Sequence, residues 1–309
     1  MTLVVEQREI VARDVVRLVL RDAEGKPLPP WQPGAHLEID LPGSLVRHYS
    51  LCGDLSDVDR YEIAVLDQAE GRGGSRHIVR NVAPGSMLDV SEPRLLFKLV
   101  PAPRYLFIAG GIGITPILPM IQAAEAAGAD WRLLYGGRDR QSMAFVDRLQ
   151  KYGDQVTLAP QDESGLLDLK SWLETPVQGM QVYCCGPESL LQAVERGTAH
   201  WPRGSLHVER FAPKPMDDRM SESFEIELRQ SGTILQVLED RSILETIEDA
   251  GISTLSSCGQ GTCGTCLTMV LKGTPDHRDS LLDNEEREAG DKMLICVSRS
   301  KSKRLVLDL

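Results

Sequence analysis

Apolar positions change their rhythm twice along this chain of 309 residues. Up to about Pro103 they alternate with polar ones in short runs, as in Leu37-Glu38-Ile39-Asp40-Leu41 and Tyr61-Glu62-Ile63-Ala64-Val65. Turn residues interrupt the runs at Pro27, Pro29, Pro30, Pro33-Gly34, Pro42-Gly43 and Pro84-Gly85. A period of two with frequent turn signals predicts an antiparallel barrel or sandwich. From Arg104 to about Phe211 the pattern becomes strand, glycine loop, helix. Strands are expected at Tyr105 to Ala109, Trp131 to Tyr135, Gln155 to Leu158 and Gln181 to Cys185, with a helix opened by Thr115-Pro116 and ending near Gly128. Strands alternating with helices imply a parallel sheet whose ligands sit at the carboxyl ends of the strands. The stretch from Ala212 to Asp218 mixes proline and charge without a period and reads as a linker. Beyond it, strands around Phe224 to Leu228 and Thr233 to Val237 precede a helix opened by Ser242 with Glu245 three residues on, a capping-box pattern, and closed by Gly251. The expected division is residues 1–103, residues 104–211, a linker over 212–222, and a small α+β unit over 223–309.

Composition adds limits rather than chemistry. A hydrophobic content of 42% over this length supports ordinary cores without disulfides. The first residues, Met1 to Arg8, lack the basic start and apolar run of a signal peptide, and no run reaches the ~18 apolar residues of a membrane span. Seven cysteines without a secretory signal fit a reducing compartment, so the expected location is cytoplasmic, away from the membrane. A net charge of −11 argues against nucleic acid as a partner; it suits docking to a basic protein patch, or simple solubility.

The chemistry enters with Cys258, Cys263 and Cys266, spaced C-x4-C-x2-C, and the distant Cys296. This is the plant-type ligand spacing for a [2Fe–2S] cluster. Four thiolates must converge while the backbone between them turns tightly, and Gly259, Gly261 and Gly264 supply the turns. A zinc site would more often present two C-x2-C knuckles, and a disulfide framework would belong to a secreted chain. Apart from His48, none of the histidines (His36, His77, His200, His207, His277) falls in a metal-ligand spacing.

Two further loops have the features of anion and nucleotide sites. Gly110-Gly111-Ile112-Gly113-Ile114-Thr115-Pro116 lies between a buried strand and a helix N-terminus, where bare N–H groups and the helix dipole stabilise a phosphate. Cys185-Gly186-Pro187 ends the fourth predicted strand and would lie beside it as the second wall of a nicotinamide site. In the first segment, Arg47-His48-Tyr49-Ser50 and Gly71-Arg72-Gly73-Gly74-Ser75 are candidates for a flavin site. Arg72, Ser75 and the glycine amides suit a phosphate, Tyr49 a ring face, and Ser50 the reactive N5 nitrogen. After the second strand, Asp139 would repel a 2′-phosphate and favour NADH, whereas Arg138 and Arg140 could bind the phosphate of NADPH.

On these motifs the chain resembles the phthalate dioxygenase reductase family, in the same domain order over essentially its whole length. The family's R-x-Y-S falls on Arg47, Tyr49 and Ser50, its G-G-x-G-x-T-P on Gly110, Gly111, Gly113, Thr115 and Pro116, and its C-G-P on Cys185, Gly186 and Pro187. Its closing aromatic falls on Phe211. The resemblance implies an antiparallel β-barrel flavin domain, a ferredoxin-reductase-like α/β nucleotide domain and a C-terminal β-grasp, plant-type ferredoxin domain. It implies FMN, which the residues alone do not separate from FAD, together with NADH and a [2Fe–2S] cluster. Catalytic positions would be Ser50, Thr115 and Cys185. The implied activity passes hydride from NADH to flavin N5 and then single electrons through the cluster to a terminal Rieske-type oxygenase, from a monomer. An electron-input subunit of another oxidoreductase, or a redox sensor, is the alternative; in the former the fourth cysteine normally follows sooner than the 29 residues between Cys266 and Cys296.

Overall fold

The alternating pattern of the first hundred residues becomes two antiparallel sheets. In the computed structural model, which describes residues 1–43, 45–69, 71–214 and 222–309, the strands are β1 (Thr2–Ala12), β2 (Val15–Asp22), β3 (Ala35–Leu41), β4 (Leu45–Ser50), β5 (Arg60–Leu66), β6 (Met87–Asp89) and β7 (Arg94–Leu95), with helix α1 (Gly74–Asn81) after β5. One sheet runs β5-β2-β1-β6 and the other β4-β3-β7. Single bridges, Leu51 to Ile63 and Ile39 to Val90, join the two sheets. Alternate residues Leu18, Leu20, Leu37, Ile39 and Ile63 are wholly buried in a common core, as period-two patterning requires.

The strand-and-helix segment follows with β8 (Arg104–Gly110), α2 (Ile114–Ala126), β9 (Asp130–Gly137), α3 (Val146–Leu149), β10 (Val156–Pro160), α4 (Gln161–Ser164), α5 (Leu169–Leu173), β11 (Met180–Cys185), α6 (Glu188–Gly197) and β12 (Leu206–Glu209). Every pairing in this sheet is parallel, in the order β10-β9-β8-β11-β12. The chain starts at the centre, builds outward through β9 and β10, and returns to lay β11 on the other side of β8. That reversal makes the carboxyl ends of β8 and β11 the topological switch point, where an open α/β sheet leaves a crevice.

Barrel and parallel sheet share a core in which Val15, Ala64 and Phe97 join Phe107, Tyr135 and Tyr183. Glu62 of β5 is gripped by Arg17 of β2 at 2.6 Å and by Arg148 of α3 at 2.8 Å. Accordingly the chain forms two compact units, Met1–Glu209 and Arg210–Leu309, and the 103/104 division expected from the sequence falls inside the first. Of the expected linker, residues 215–221 lie outside the described residues.

The second unit contains β13 (Phe224–Leu228), β14 (Thr233–Val237), α7 (Ile243–Asp249), β15 (Leu267–Lys272), β16 (Pro275–Asp276), α8 (Asn284–Ala289), β17 (Lys292–Leu294), β18 (Arg299–Ser300) and β19 (Arg304–Leu307). Its mixed sheet has the order β14-β13-β19-β15-β17, with β13 and β19 parallel. Helix α7 buries Ile243, Leu244 and Ile247 against Ile226, Leu228 and Leu305. The expected capping box is present: Glu245 N–H donates to Ser242 Oγ at 3.1 Å, and Ser242 N–H to Glu245 Oε2 at 2.8 Å. Such a cap contributes about 1 kcal/mol. Among the described residues, no helix is long and apolar enough to cross a membrane.

Candidate functional site

At the switch point Ala109 of β8 pairs with Cys185 of β11, so the two loops that leave these strands lie against each other. A Cβ on Gly113 would stand 2.2 Å from the Cys185 carbonyl oxygen, and one on Gly110 would stand 2.7 Å from Pro187 Cδ. One on Gly186 would stand 3.0 Å from Gly110 Cα. At Gly113 and Gly186 backbone fills the space a side chain would need, and at Gly110 the Pro187 ring and the Leu190 side chain fill it. Gly111–Gly113 form a 3-10 turn, and α2 begins after Gly113 without a side-chain cap, leaving bare N–H groups at the crevice. Thr115 is buried and its hydroxyl donates to the Ile112 carbonyl at 3.0 Å, which braces the turn; Pro116 is buried in the first turn of the helix. Asp139 lies beyond β9 with its carboxylate engaged by Arg13 and by Ser142 N–H at 2.9 Å, while Arg140 is paired with Glu163 at 2.7 Å.

Beside Cys185 stands a residue that the sequence reading passed over. Glu209 Oε2 lies 3.9 Å from the Cys185 sulfur, and burial pushes the Glu209 carboxyl up to about 8 against a smaller downward pull from the thiol. Burial, with Glu209 second, also raises the Cys185 thiol well above its ordinary value, so both groups are neutral at pH 7. Nothing local in Leu206-His207-Val208-Glu209-Arg210 marks it, because its neighbour is set by the pairing of Cys185 with Glu209 across β11 and β12. Phe211, two residues on, is 45% exposed and belongs to the second unit.

In the barrel, Arg47 and Tyr49 of β4 point to one side and His48 to the other, because side chains alternate along a strand. Arg47 packs over Gly74, where a Cβ would come within 2.7 Å of its side chain. Its Nη1 donates to the Val46 carbonyl at 2.7 Å, while Nη2 is buried without a partner. Burial first, and then Arg72, hold the Arg47 guanidinium below its usual value. Helix α1 opens here with Gly73 at φ +88° and no side-chain cap. Ser75 Oγ accepts the Gln68 N–H at 3.2 Å, and Gly71 N–H donates to the Gln68 carbonyl at 3.3 Å. A half-buried cation with a buried, unused N–H, a second arginine and a bare helix start fit a phosphate group. The Tyr49 hydroxyl is likewise buried without a partner, and Ser50 is buried at the strand end. These residues therefore fit a phosphate-bearing aromatic cofactor such as a flavin mononucleotide.

His48 instead faces Glu38 across the β3–β4 pairing, and with His36 the three side chains gather within 4.8 Å. Sequence spacing had suggested no such grouping of histidines; antiparallel register creates it. Arg94 Nη1 donates to Glu38 Oε1 at 2.5 Å and the two imidazoles stack at 5.1 Å, so a guanidinium already neutralises the carboxylate that a metal would need.

In the second unit, Cys258, Cys263, Cys266 and Cys296 are all at most 8% exposed and none is in a disulfide. Pairing of Leu267 with Leu294 carries Cys296 to the side of Cys266, and Ile295 N–H donates to the Cys266 carbonyl at 3.3 Å. Backbone and hydroxyl donors point at the sulfurs. Gln260 N–H lies 3.3 Å and Thr262 Oγ1 3.4 Å from Cys258 Sγ, and the Gly261 N–H is directed at Cys296. The Cys263 thiol, then the Thr262 hydroxyl and Gln260 N–H, hold the Cys258 thiol well below its ordinary value despite burial. The Cys296 thiol lowers Cys266 in the same way, and the partner thiols Cys263 and Cys296 are raised in turn, so the four sulfurs lie close enough to share protons, the grouping an iron–sulfur cluster needs.

Nucleotide crevice, phosphate-ready barrel and thiolate loop together define an oxidoreductase of the modular electron-transfer class. Residues 226–301 match the family described as 2Fe-2S iron–sulfur cluster binding domain, and residues 94–201 match the N-terminal domain of dimethylamine monooxygenase subunit DmmA-like proteins. Phthalate dioxygenase reductase of Burkholderia cepacia is 39% identical, over 99% of this chain and 96% of that protein. The crystal structure of a phthalate dioxygenase reductase, described as modular for electron transfer from pyridine nucleotides to [2Fe–2S], matches with TM-score 0.74 and 39% identity, over 100% of this chain and 98% of that one. An intact type IV self-sufficient cytochrome P450 monooxygenase matches with TM-score 0.93 and 44% identity; this chain is covered completely but spans only 41% of that one. The chain belongs to the phthalate dioxygenase reductase family.

Proposed function

We propose that the protein takes electrons from NADH and delivers them singly to a terminal Rieske-type oxygenase or demethylase in the cytoplasm, acting as a monomer. The observation that carries this reading is the convergence of four buried cysteines on one loop in a chain that also holds a glycine-lined nucleotide crevice. The working division is residues 1–103 for FMN, 104–211 for NADH, a linker over 212–222, and 223–309 for the cluster. Flavin, when bound, supplies the coupling between a two-electron hydride donor and a one-electron carrier.

The chain's own residues do the rest. Arg47, Arg72, Ser75 and the amides of Gly73 and Gly74 would hold the flavin phosphate, with Gly71 shaping the loop through its bond to Gln68. Tyr49 would border the ring, and Ser50 would serve the reactive nitrogen. Gly110, Gly111, Gly113, Thr115 and Pro116 shape the pyrophosphate seat, and Cys185, Gly186 and Pro187 wall the nicotinamide. Neutral Cys185 and Glu209 keep net charge away from the hydride path. Asp139 keeps a negative charge at the ribose end, and Arg140 is committed to Glu163, which supports NADH over NADPH. Cys258, Cys263, Cys266 and Cys296 hold the [2Fe–2S] cluster.

Cys296→Ser tests the path. Flavin reduction by NADH should persist while cytochrome c reduction collapses; normal cytochrome c reduction would refute the assigned route. A second reading, in which the acceptor is a haem monooxygenase, draws on the match to the self-sufficient P450. Turnover with a purified P450 but with no Rieske oxygenase would favour it.

A further inference from the structure

Asp279 is 1% exposed in a segment to which the electron-transfer reading gives no role. Its Oδ1 accepts the N–H groups of Leu281 at 3.0 Å and Leu282 at 2.7 Å, which folds residues 279–282 into an Asx-type turn. Arg287 of α8 locks the turn by donating Nη2 to the Asp279 carbonyl at 2.7 Å and to Oδ1 at 3.3 Å. Oδ2 has no hydrogen-bond partner, and His277 stands beside it with Nδ1 at 3.8 Å.

The turn presents the Ser280 N–H, which donates to the Gly261 carbonyl at 2.9 Å. Gly261 belongs to the cysteine loop, its own N–H is directed at the Cys296 sulfur, and Val297 beside Cys296 packs against it. Its φ of +69° excludes most side chains, and a Cβ there would stand 2.5 Å from Val297 Cγ2 and 3.1 Å from Asp279 Cα. The backbone of Asp279 thus forms the floor under Gly261, and one peptide connects that floor to a cluster ligand.

We propose that Asp279 is a positioning residue for the cluster: the turn it caps fixes the Gly261 peptide and, through it, the aim of the Gly261 N–H at Cys296. The inference rests on the reading of these cysteines as [2Fe–2S] ligands. One-electron reduction adds a negative charge that is shared with the thiolates. An N–H aimed at a thiolate stabilises that charge, so hydrogen bonds to sulfur are among the determinants of cluster potential. Releasing the turn should therefore lower the potential, whereas removing only the aspartate charge should not.

The test is an EPR-monitored redox titration of the holoprotein and its variants. Asp279→Ala should lower the reduced-to-oxidised ratio at the wild-type midpoint about tenfold, a shift of about 59 mV to more negative potential for one electron. Asp279→Asn should stay close to wild type, because an amide oxygen caps the same turn. Arg287→Leu, on the more exposed α8, should shift the potential in the same direction by less, and it decides the matter if Asp279→Ala loads no cluster. An unchanged potential in the alanine variant would overturn the proposal. So would an Asp279→Asn shift to less negative potential, since charge rather than position would then be at work. Failure of the underlying cluster assignment is distinguishable, because the wild-type protein itself would then give no [2Fe–2S] signal.

Discussion

Glu209→Gln is the substitution whose consequence can be worked furthest. Burial raises the Glu209 carboxyl from 4.5 to about 8. The folded protein therefore keeps a proton that the unfolded chain releases above pH ~4.5. The stability associated with this group is fully present below that pH, declines as pH rises, and levels off once the folded carboxyl has ionised near pH 8. Between those limits the folding equilibrium should weaken roughly tenfold per pH unit, a total of about 5 kcal/mol. Glutamine keeps the shape and removes the proton, so the variant should lack this slope. Two assays report it. Infrared difference spectra of wild type against variant should contain the carbonyl band of a protonated carboxyl at pH 6 that vanishes with a midpoint near 8. The thermal midpoint of the wild type should fall relative to the variant from pH 5 to 8 and run parallel to it above 9. A carboxyl titrating near 4.5, or stability curves parallel throughout, would refute the reasoning.

Three other expectations follow from the same geometry. Gly113→Ala drives a methyl group into the Cys185 carbonyl, 2.2 Å away, and should raise the KM for NADH at least tenfold while the cluster spectrum is unchanged; wild-type kinetics would show that the loops are not interlocked. Arg47→Gln removes the half-buried cation and should release FMN on gel filtration, with full flavin retention counting against a phosphate role. Ser50→Ala should slow flavin reduction by NADH more than it weakens NADH binding, and an unchanged reduction rate in stopped flow would remove Ser50 from the N5 position.

Much of this architecture was legible from local pattern because the elements are locally encoded. Ser242 and Glu245 announce a helix start through reciprocal hydrogen bonds that need no tertiary partner, and the box is present. The predicted strands at Tyr105 to Ala109 and Gln181 to Cys185 lie within β8 and β11, since continuous apolar runs bounded by glycine allow little else. What stayed hidden depends on register and through-space pairing. Glu38 and His48 meet only because β3 and β4 pair in one register, and Arg13 reaches Asp139 across 126 positions. Glu209 reads as an ordinary strand-edge acid until Cys185 is placed 3.9 Å away. The expected break after residue 103 marks a true change of pattern, but Phe97, Phe107 and Tyr183 pack in one core across it, and pattern cannot report a shared core.

Anaerobic titration with NADH, followed by absorbance and low-temperature EPR on the freshly purified protein, tests the central claim most directly. Bleaching of a flavin accompanied by a rhombic [2Fe–2S] signal is the predicted result. Flavin bleaching without that signal would contradict it, because the loop of Cys258, Cys263 and Cys266, with Cys296, would then not carry the electrons.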